Sequence, residues 1–280
     1  MPKVSALMAV YNTPEDILRQ TINSILNQTF TDFELIIVDD SPDPAETGKI
    51  VRSYADPRIR YTANEKNMGM SKTCDKMVAL STGEYLANCN HDDISVPTRF
   101  EQEVKILDEM PDVGVVSGQI HSMYSGVTSK HPVSSREIKA ALLLQGCVIA
   151  YPAVMMRKSV LIDNNIRFDE SASPCEDYKL WIDLIDKTLF HNIGSVIMEY
   201  RDRPDNVSHR QSEKMDEKAR QIQYEARQKH AWILNDCPVQ KRFYLFGVPV
   251  LKTIRNEKKL TICLFDVLPV LKIKTKGRIK

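Results

Sequence analysis

The 280-residue chain is 42% hydrophobic and 27% charged, with 10 Gly and 14 Pro, a composition that excludes collagen-like, low-complexity and wholly disordered proteins. Its formal net charge of +1 hides an uneven distribution: residues 241–280 carry 11 Lys/Arg against 2 acids, and residues 1–240 carry 27 basic against 35 acidic side chains. The apolar runs are too short to span a bilayer, no leader pattern opens the sequence, and the six cysteines have no CxxC spacing, so a cytoplasmic chain with reduced thiols is expected.

Val4–Val10 is short and almost wholly apolar, the pattern of a strand buried on both faces of a parallel sheet. Thr13-Pro14-Glu15-Asp16 opens a helix. Thr13 is the expected N-cap, Pro14 has no N–H to leave unpaired at the first helical position, and the two acids suit the positive end of the dipole. Ile17, Leu18, Thr21, Ile22, Ile25 and Leu26 form the apolar stripe of that helix, and a second buried strand at Phe33–Val38 closes a βαβ unit. The alternation continues with a helix at Ala45–Tyr54, a strand at Arg58–Thr62, a helix at Met70–Leu80 ended by Gly83 and a strand at Glu84–Cys89. A helix from Pro97 to Glu109 and a strand at Val113–Ser117 follow. Strands separated by single helices predict an α/β fold with a doubly wound, mainly parallel sheet, whose ligands bind beyond the carboxyl ends of its strands.

The pattern weakens over residues 118–150, read as an excursion over one face of the sheet that ends in a helix at Ser135–Leu144. A strand at Ala153–Met156, a helix at Glu176–Leu189 and a strand at Ile193–Tyr200 follow, then a polar, helix-prone stretch at 211–232, with Pro238 as a boundary. Beyond it, Tyr244–Lys252 aligns with Cys263–Lys272, the second copy carrying one insertion. Two copies are too few for a solenoid and suit two β-ribbons or an apolar, basic surface patch.

Three strand-end or helix-start clusters carry chemistry. Asp39 and Asp40, ending the second strand, can accept hydrogen bonds from a nucleobase or ribose, or simply cap a turn. Asn90-His91-Asp92-Asp93 follows the strand at Glu84–Cys89, the arrangement a hard divalent cation uses when it also holds a diphosphate; the plainer reading makes Asp93 the cap of the next helix. Glu176 and Asp177 open a helix, where the dipole favours the charged carboxylate and so a general base, although acidic first turns are common.

The ordered set of Val10-Tyr11-Asn12, Ile37-Val38-Asp39-Asp40-Ser41, Asn67-Met68-Gly69, Asn90-His91-Asp92-Asp93 and Glu176-Asp177 with Leu180-Trp181 resembles glycosyltransferase family 2 over residues 3–205. The resemblance implies a GT-A fold and inverting transfer from a nucleotide-diphosphate sugar, a UDP-sugar, to a glycan or lipid-linked acceptor in bacterial cell-surface polysaccharide synthesis. By that resemblance Tyr11, Asn12, Asp39, Asp40, Asn67, Gly69, Asn90 and His91 belong to the donor site. Asp92 and Asp93 would hold Mn2+ or Mg2+ in a DxD-type motif, Asp177 would be the catalytic base, and Glu176 its neighbour. Asn90 stands where the family more often has Asp, and Asp75 and Tyr151 stand where it often has Asn and His. The expected organisation is a GT-A domain at 1–205, a helical connector at 206–237 and a basic repeat tail at 238–280. The tail suggests peripheral contact with the cytoplasmic face of the inner membrane. The alternatives are an inactive sugar-nucleotide binding module and a membrane-peripheral scaffold; no nucleic-acid motif is present.

Overall fold

The computed structural model describes the backbone of residues 1–203, 206 and 210–235 and of four strands within 239–274, with side chains described through residue 234. It divides into two compact units, Met1–Gln223 and Tyr224–Lys280. In the first unit the elements run β1 (Val4–Val10), α1 (Glu15–Leu26), β2 (Phe33–Asp39), α2 (Ala45–Arg52), β3 (Ile59–Ala63), α3 (Met70–Leu80), β4 (Tyr85–Asn88) and β5 (Ile94–Ser95). They continue with α4 (Arg99–Glu109), β6 (Val113–Ser122), α5 (Ser135–Leu144), β7 (Met155–Arg157), α6 (Lys158–Asp163), α7 (Glu176–Asp183), β8 (Leu189–Tyr200) and the start of α8 (Ser212–His230).

The eight strands form one sheet in the order β3-β2-β1-β4-β7-β6-β8-β5. β3, β2, β1 and β4 are parallel neighbours, with Val4 opposite both Phe33 and Tyr85. Every residue of β2 is buried, as the continuous apolar run requires of a strand covered on both faces. Val4, Met8, Leu18, Ile22, Leu35, Ile37 and Phe100 belong to the main hydrophobic cluster.

Several expectations are corrected. β7 enters between β4 and β6 antiparallel to both, so the parallel order stops at β4 and resumes only where β6 meets β8. β6 continues to Ser122 because β8 pairs with it as far as Tyr200. α7 stops at Asp183; Leu184 and Ile185 are fully buried in the turn beyond it, and their core burial mimics a longer helical stripe. Thr13 does not cap α1, whose N-cap is Pro14, because the Thr13 hydroxyl pairs with His91 instead. Gly83 is not a helix stop, since α3 ends at Leu80 with Ser81 as its cap. Gly83 is needed where the chain crosses β1: a Cβ there would lie 2.7 Å from the Ser5 backbone nitrogen.

In the second unit β9 (Val239–Leu245), β10 (Val248–Asn256), β11 (Lys259–Leu264) and β12 (Leu268–Lys274) form an antiparallel sheet in sequential order. Each copy of the repeat straddles one strand pair. Leu245 is opposite Val248, and Leu264 is opposite Leu268, so the extra residue of the second copy falls between paired positions. Pro238 lies outside the described residues.

Candidate active site

The carboxyl ends of the parallel strands and the loops after them carry Tyr11, Asn12, Asp39, Asp40, Asn67, Gly69 and Asn90 to Asp93, as the topology of such sheets requires, whereas Glu176 and Asp177 open α7. Asp39 ends β2 with no exposure; its Oδ1 accepts the Ser41 N–H at 2.9 Å and its Oδ2 the Tyr61 hydroxyl at 3.2 Å. Burial, reinforced by the Asp39 charge, pushes the Tyr61 hydroxyl up to about 12, so it stays a donor. Asn12, in the left-handed region at φ 47°, donates its N–H to Ser41 Oγ at 2.8 Å. Tyr11 is exposed beside it. A cleft of about 290 Å³ opens here between Asn12, Thr13, Ser41 and Thr47, and Glu15, Asp43 and Glu46 on its wall make it acidic.

Asp40 has a different task. Its Oδ1 accepts the Asn64 amide at 2.7 Å and the Met68 N–H at 2.8 Å, its Oδ2 accepts the Gly69 N–H at 2.9 Å, and Asn67 Nδ2 reaches its carbonyl at 3.4 Å. Gly69 opens α3 at φ 81°, a conformation that favours glycine, with nothing near its Cα that a Cβ would strike. The carboxylate thus shapes the loop at 64–69. Asp40→Ala is expected to lower unfolding free energy by about 3 kcal/mol, the scale of losing hydrogen bonds to a buried charge. A urea midpoint equal to wild type would show that other contacts hold the loop.

At the end of β4, Asn88 Nδ2 donates to the Tyr151 carbonyl at 3.1 Å and reaches Asn90 Oδ1 at 3.4 Å, and Asn90 Nδ2 donates to Asp93 Oδ2 at 3.1 Å. Asp93 is buried, and its Oδ1 accepts the Arg201 N–H at 2.8 Å. Burial, with the neighbouring Asp92 charge, pushes its carboxyl up to about 7. It caps no helix, since α4 begins at Arg99 after Thr98. Asp92 is turned the other way: its carbonyl accepts Arg201 Nε at 2.8 Å, and its partly exposed carboxylate faces Arg203 at 3.4 Å. His91 Nδ1 pairs with Thr13 Oγ1 at 2.8 Å, and burial lowers the imidazole so that it is neutral at pH 7.

Asp177 lies in the first turn of α7 and accepts the Tyr178 N–H at 2.7 Å. Burial pushes its carboxyl up to about 6; the Tyr178 N–H opposes the rise and the Glu176 charge adds to it. Tyr151 joins this helix to the strand-end loop. Its carbonyl receives Asn88, its hydroxyl pairs with Cys74 Sγ at 3.2 Å, and its ring lies 6.3 Å from that of Trp181. Asp75 accepts the Phe168 N–H at 3.3 Å, and the Phe168 ring packs edge-on against Tyr151 at 6.0 Å.

Three arginines escaped the sequence reading. Arg201 and Arg203 come directly after β8 and meet Asp92 and Asp93; the Arg-x-Arg spacing beyond the last strand was their signal. Arg99 is fully buried, ion-paired with Glu103 at 3.1 Å, and donates to the carbonyls of Asn88 at 2.8 Å and Val154 at 3.2 Å. It fixes the end of β4 against the approach to β7. Its i,i+4 spacing to Glu103 looks like an exposed helix pair, which hid it.

Among the described residues no group of three or more His, Cys, Asp or Glu side chains is placed to hold a metal ion. The donor set at the end of β4 is nonetheless all oxygen, the Asp92 carboxylate and the Asn90 carboxamide. That chemistry fits Mg2+ or Mn2+, which take one or two protein carboxylates and complete their shell with substrate phosphates.

The sheet and its edge loops are those of the GT-A class of α/β glycosyltransferases. The fold matches residues 1–349 of S. aureus TarS in complex with UDP-GlcNAc, with a TM-score of 0.66 at 20% identity over 83% of this chain and 72% of that one. It also matches the mannosyltransferase PcManGT from Pyrobaculum calidifontis in complex with GDP-Man and Mn2+, with a TM-score of 0.59 at 14% identity over 83% and 72% of the two chains. The chain belongs to glycosyl transferase family 2, whose model matches residues 5–164. An uncharacterized glycosyltransferase of Methanocaldococcus jannaschii, MJ1057, is 31% identical over 208 residues, 71% of each chain.

Proposed function

We propose that this glycosyltransferase moves a sugar, with inversion, from a UDP-sugar to a hydroxyl of a glycan or lipid-linked acceptor in cell-surface polysaccharide synthesis. The observation that carries the reading is the link through Tyr151 between Asp177, a half-buried carboxylate with its carboxyl near 6, and the strand-end loop bearing Asp92. Asp177 takes the proton of the acceptor hydroxyl as that oxygen attacks the anomeric carbon and the bond from that carbon to the donor diphosphate breaks. A single displacement inverts the anomeric centre and needs no covalent nucleophile. Asn12, with the exposed Tyr11 next to it, receives the nucleoside, since the acidic wall of the cleft at Asn12 suits the neutral base and ribose and repels phosphate, and the buried Asp39 holds Ser41 of that cleft in place. The loop that Asp40 shapes, with Asn67 and Gly69, borders the donor. Asp92 would hold the divalent metal, and Asp93 ties that loop to Asn90 and to the Arg201 backbone. When bound, such a metal neutralises charge building on the leaving diphosphate.

TarS was solved with UDP-GlcNAc and PcManGT with GDP-Man and Mn2+, which supports a nucleotide-sugar donor and a divalent metal. The membrane-side reading of the tail stands on the charge of residues 241–280. No helix among the described residues is long and apolar enough to cross a membrane. A screen of nucleotide-sugars for release of the nucleoside diphosphate, with and without Mn2+, is expected to give UDP from one UDP-sugar, faster with the metal. A protein that binds UDP-sugars and releases nothing from any donor would be the inactive binding module.

A further inference from the structure

The residues on either side of Glu176-Asp177 tie down two separate segments. Tyr178 donates its hydroxyl to the carbonyl of Leu142, and Cys175 donates Sγ–H to the carbonyl of Met215 at 3.4 Å. From Leu142 the chain leaves α5 into Gln145 and Gly146, the latter at φ 115°; from Met215 it continues along α8 into Asp216. Between these segments lies a cleft of about 250 Å³, lined by Gln145, Gly146, Asp216, Ala219, Arg220 and Gln223. Its two walls are therefore anchored immediately before and immediately after the acidic pair that opens α7. Neither the donor residues nor the strand-end loop contributes to it.

The lining decides what the cleft can take. Gln145 and Gln223 each offer a donor and an acceptor, Asp216 offers acceptors, and Arg220 offers donors. The two charges cancel, so a phosphate gains little from Arg220 while it meets Asp216. An acyl chain finds only Ala219 as an apolar side chain. Vicinal hydroxyls, which donate and accept at once, match the whole set. The volume is below the roughly 300 Å³ at which pockets for drug-sized ligands begin, so there is room for one compact polar ring.

We propose that this cleft is an acceptor subsite, holding an uncharged sugar residue of the acceptor beside Asp177; the assignment rests on the glycosyltransferase reading above. Gln145, Asp216, Arg220 and Gln223 then select the acceptor by its hydroxyl pattern, and the lipid or phosphate portion of a lipid-linked acceptor lies outside the cleft. Such a residue also restrains the attacking hydroxyl, which favours transfer over loss of the donor to water.

The test uses the full chain and the double variant D216A/R220A. It removes one charge of each sign, so the overall field is kept, and it places alanine, the best helix former, at two exposed positions of α8. It costs the helix the Arg220 Nε bond to the Asp216 carbonyl. Saturation-transfer NMR is recorded for both proteins with UDP and with the methyl glycosides of glucose, galactose, N-acetylglucosamine and rhamnose. The expected result is equal UDP binding by both proteins, and at least one glycoside bound by wild type and about tenfold more weakly by the variant, the scale of two lost hydrogen bonds. Inorganic phosphate should not displace that glycoside. Equal glycoside binding by both proteins, no glycoside binding beside normal UDP binding, or displacement by phosphate would each overturn the subsite. Absence of UDP binding to wild type would instead overturn the donor reading on which it rests, and the subsite with it.

Discussion

Asp177→Asn is expected to slow sugar transfer at least about a hundredfold, the usual scale for a general base, with the donor dissociation constant within about twofold of wild type. The amide keeps the shape of the carboxylate and can still accept the Tyr178 N–H at the 2.7 Å position, but it takes no proton. The pH profile gives a second, independent reading. Burial raises this carboxyl to about 6, so the ionised form that can accept a proton disappears as pH falls through that value. For wild type, kcat/KM should rise with pH and level off above about 6, and that acid limb should be absent from the residual rate of the variant. Glu176→Gln removes a charge that adds to the rise, so it should move the limb toward lower pH and leave the plateau largely in place. A large loss in Glu176→Gln beside a near-normal rate in Asp177→Asn would exchange the two roles.

Asp92→Ala is expected to remove stimulation by Mn2+ and to cut transfer on the order of a thousandfold, the kinetic equivalent of several kcal/mol of charge stabilisation at the leaving group. The fold should survive. Asp92 gives the fold a long, part-buried ion pair with Arg203 at 3.4 Å, the two side chains 13% and 33% exposed, which contributes about 1 kcal/mol. Asp93→Ala makes the contrast, because that side chain is buried and accepts both the Arg201 N–H and the Asn90 amide. It should cost about 1–3 kcal/mol of stability through the orphaned donors. Melting curves and Mn2+ titrations of the two variants separate these effects. A normal Mn2+ response in Asp92→Ala would show that the metal is held elsewhere.

Much of the architecture was legible locally. β1 and β2 announce themselves because a strand covered on both faces must be apolar throughout, and the stripe Leu18, Ile22 and Ile25 marks α1 because only one side of that helix meets the sheet. The doubly wound order followed, and with it the edge at which Asp39, Asp40 and Asn90 to Asp93 had to gather. Local patterns misled where a side chain answered to a distant partner. Thr13 has the sequence of a cap and bonds His91, 78 residues away; Leu184 and Ile185 continue a helical stripe and are buried in a turn.

The element order of the first half, the strand-end loops and the family membership could all be read from the chain alone, because each depends on a few neighbouring residues in fixed order. The tertiary structure gave the adjacent carboxylates separate tasks: Asp40 is turned into its own loop, Asp93 is buried against Arg201, Asp92 is set toward Arg203, and Asp177 is held by the Tyr178 N–H. It also decided the antiparallel insertion of β7, the internal Arg99–Glu103 pair and the cleft between Gln145 and α8. The physical reason is that neighbouring residues in a loop share a sequence context but not a direction. Which of two acids is buried depends on partners distant in the sequence, such as the Arg201 N–H that donates to Asp93 from 108 residues away, and no local pattern records such bonds.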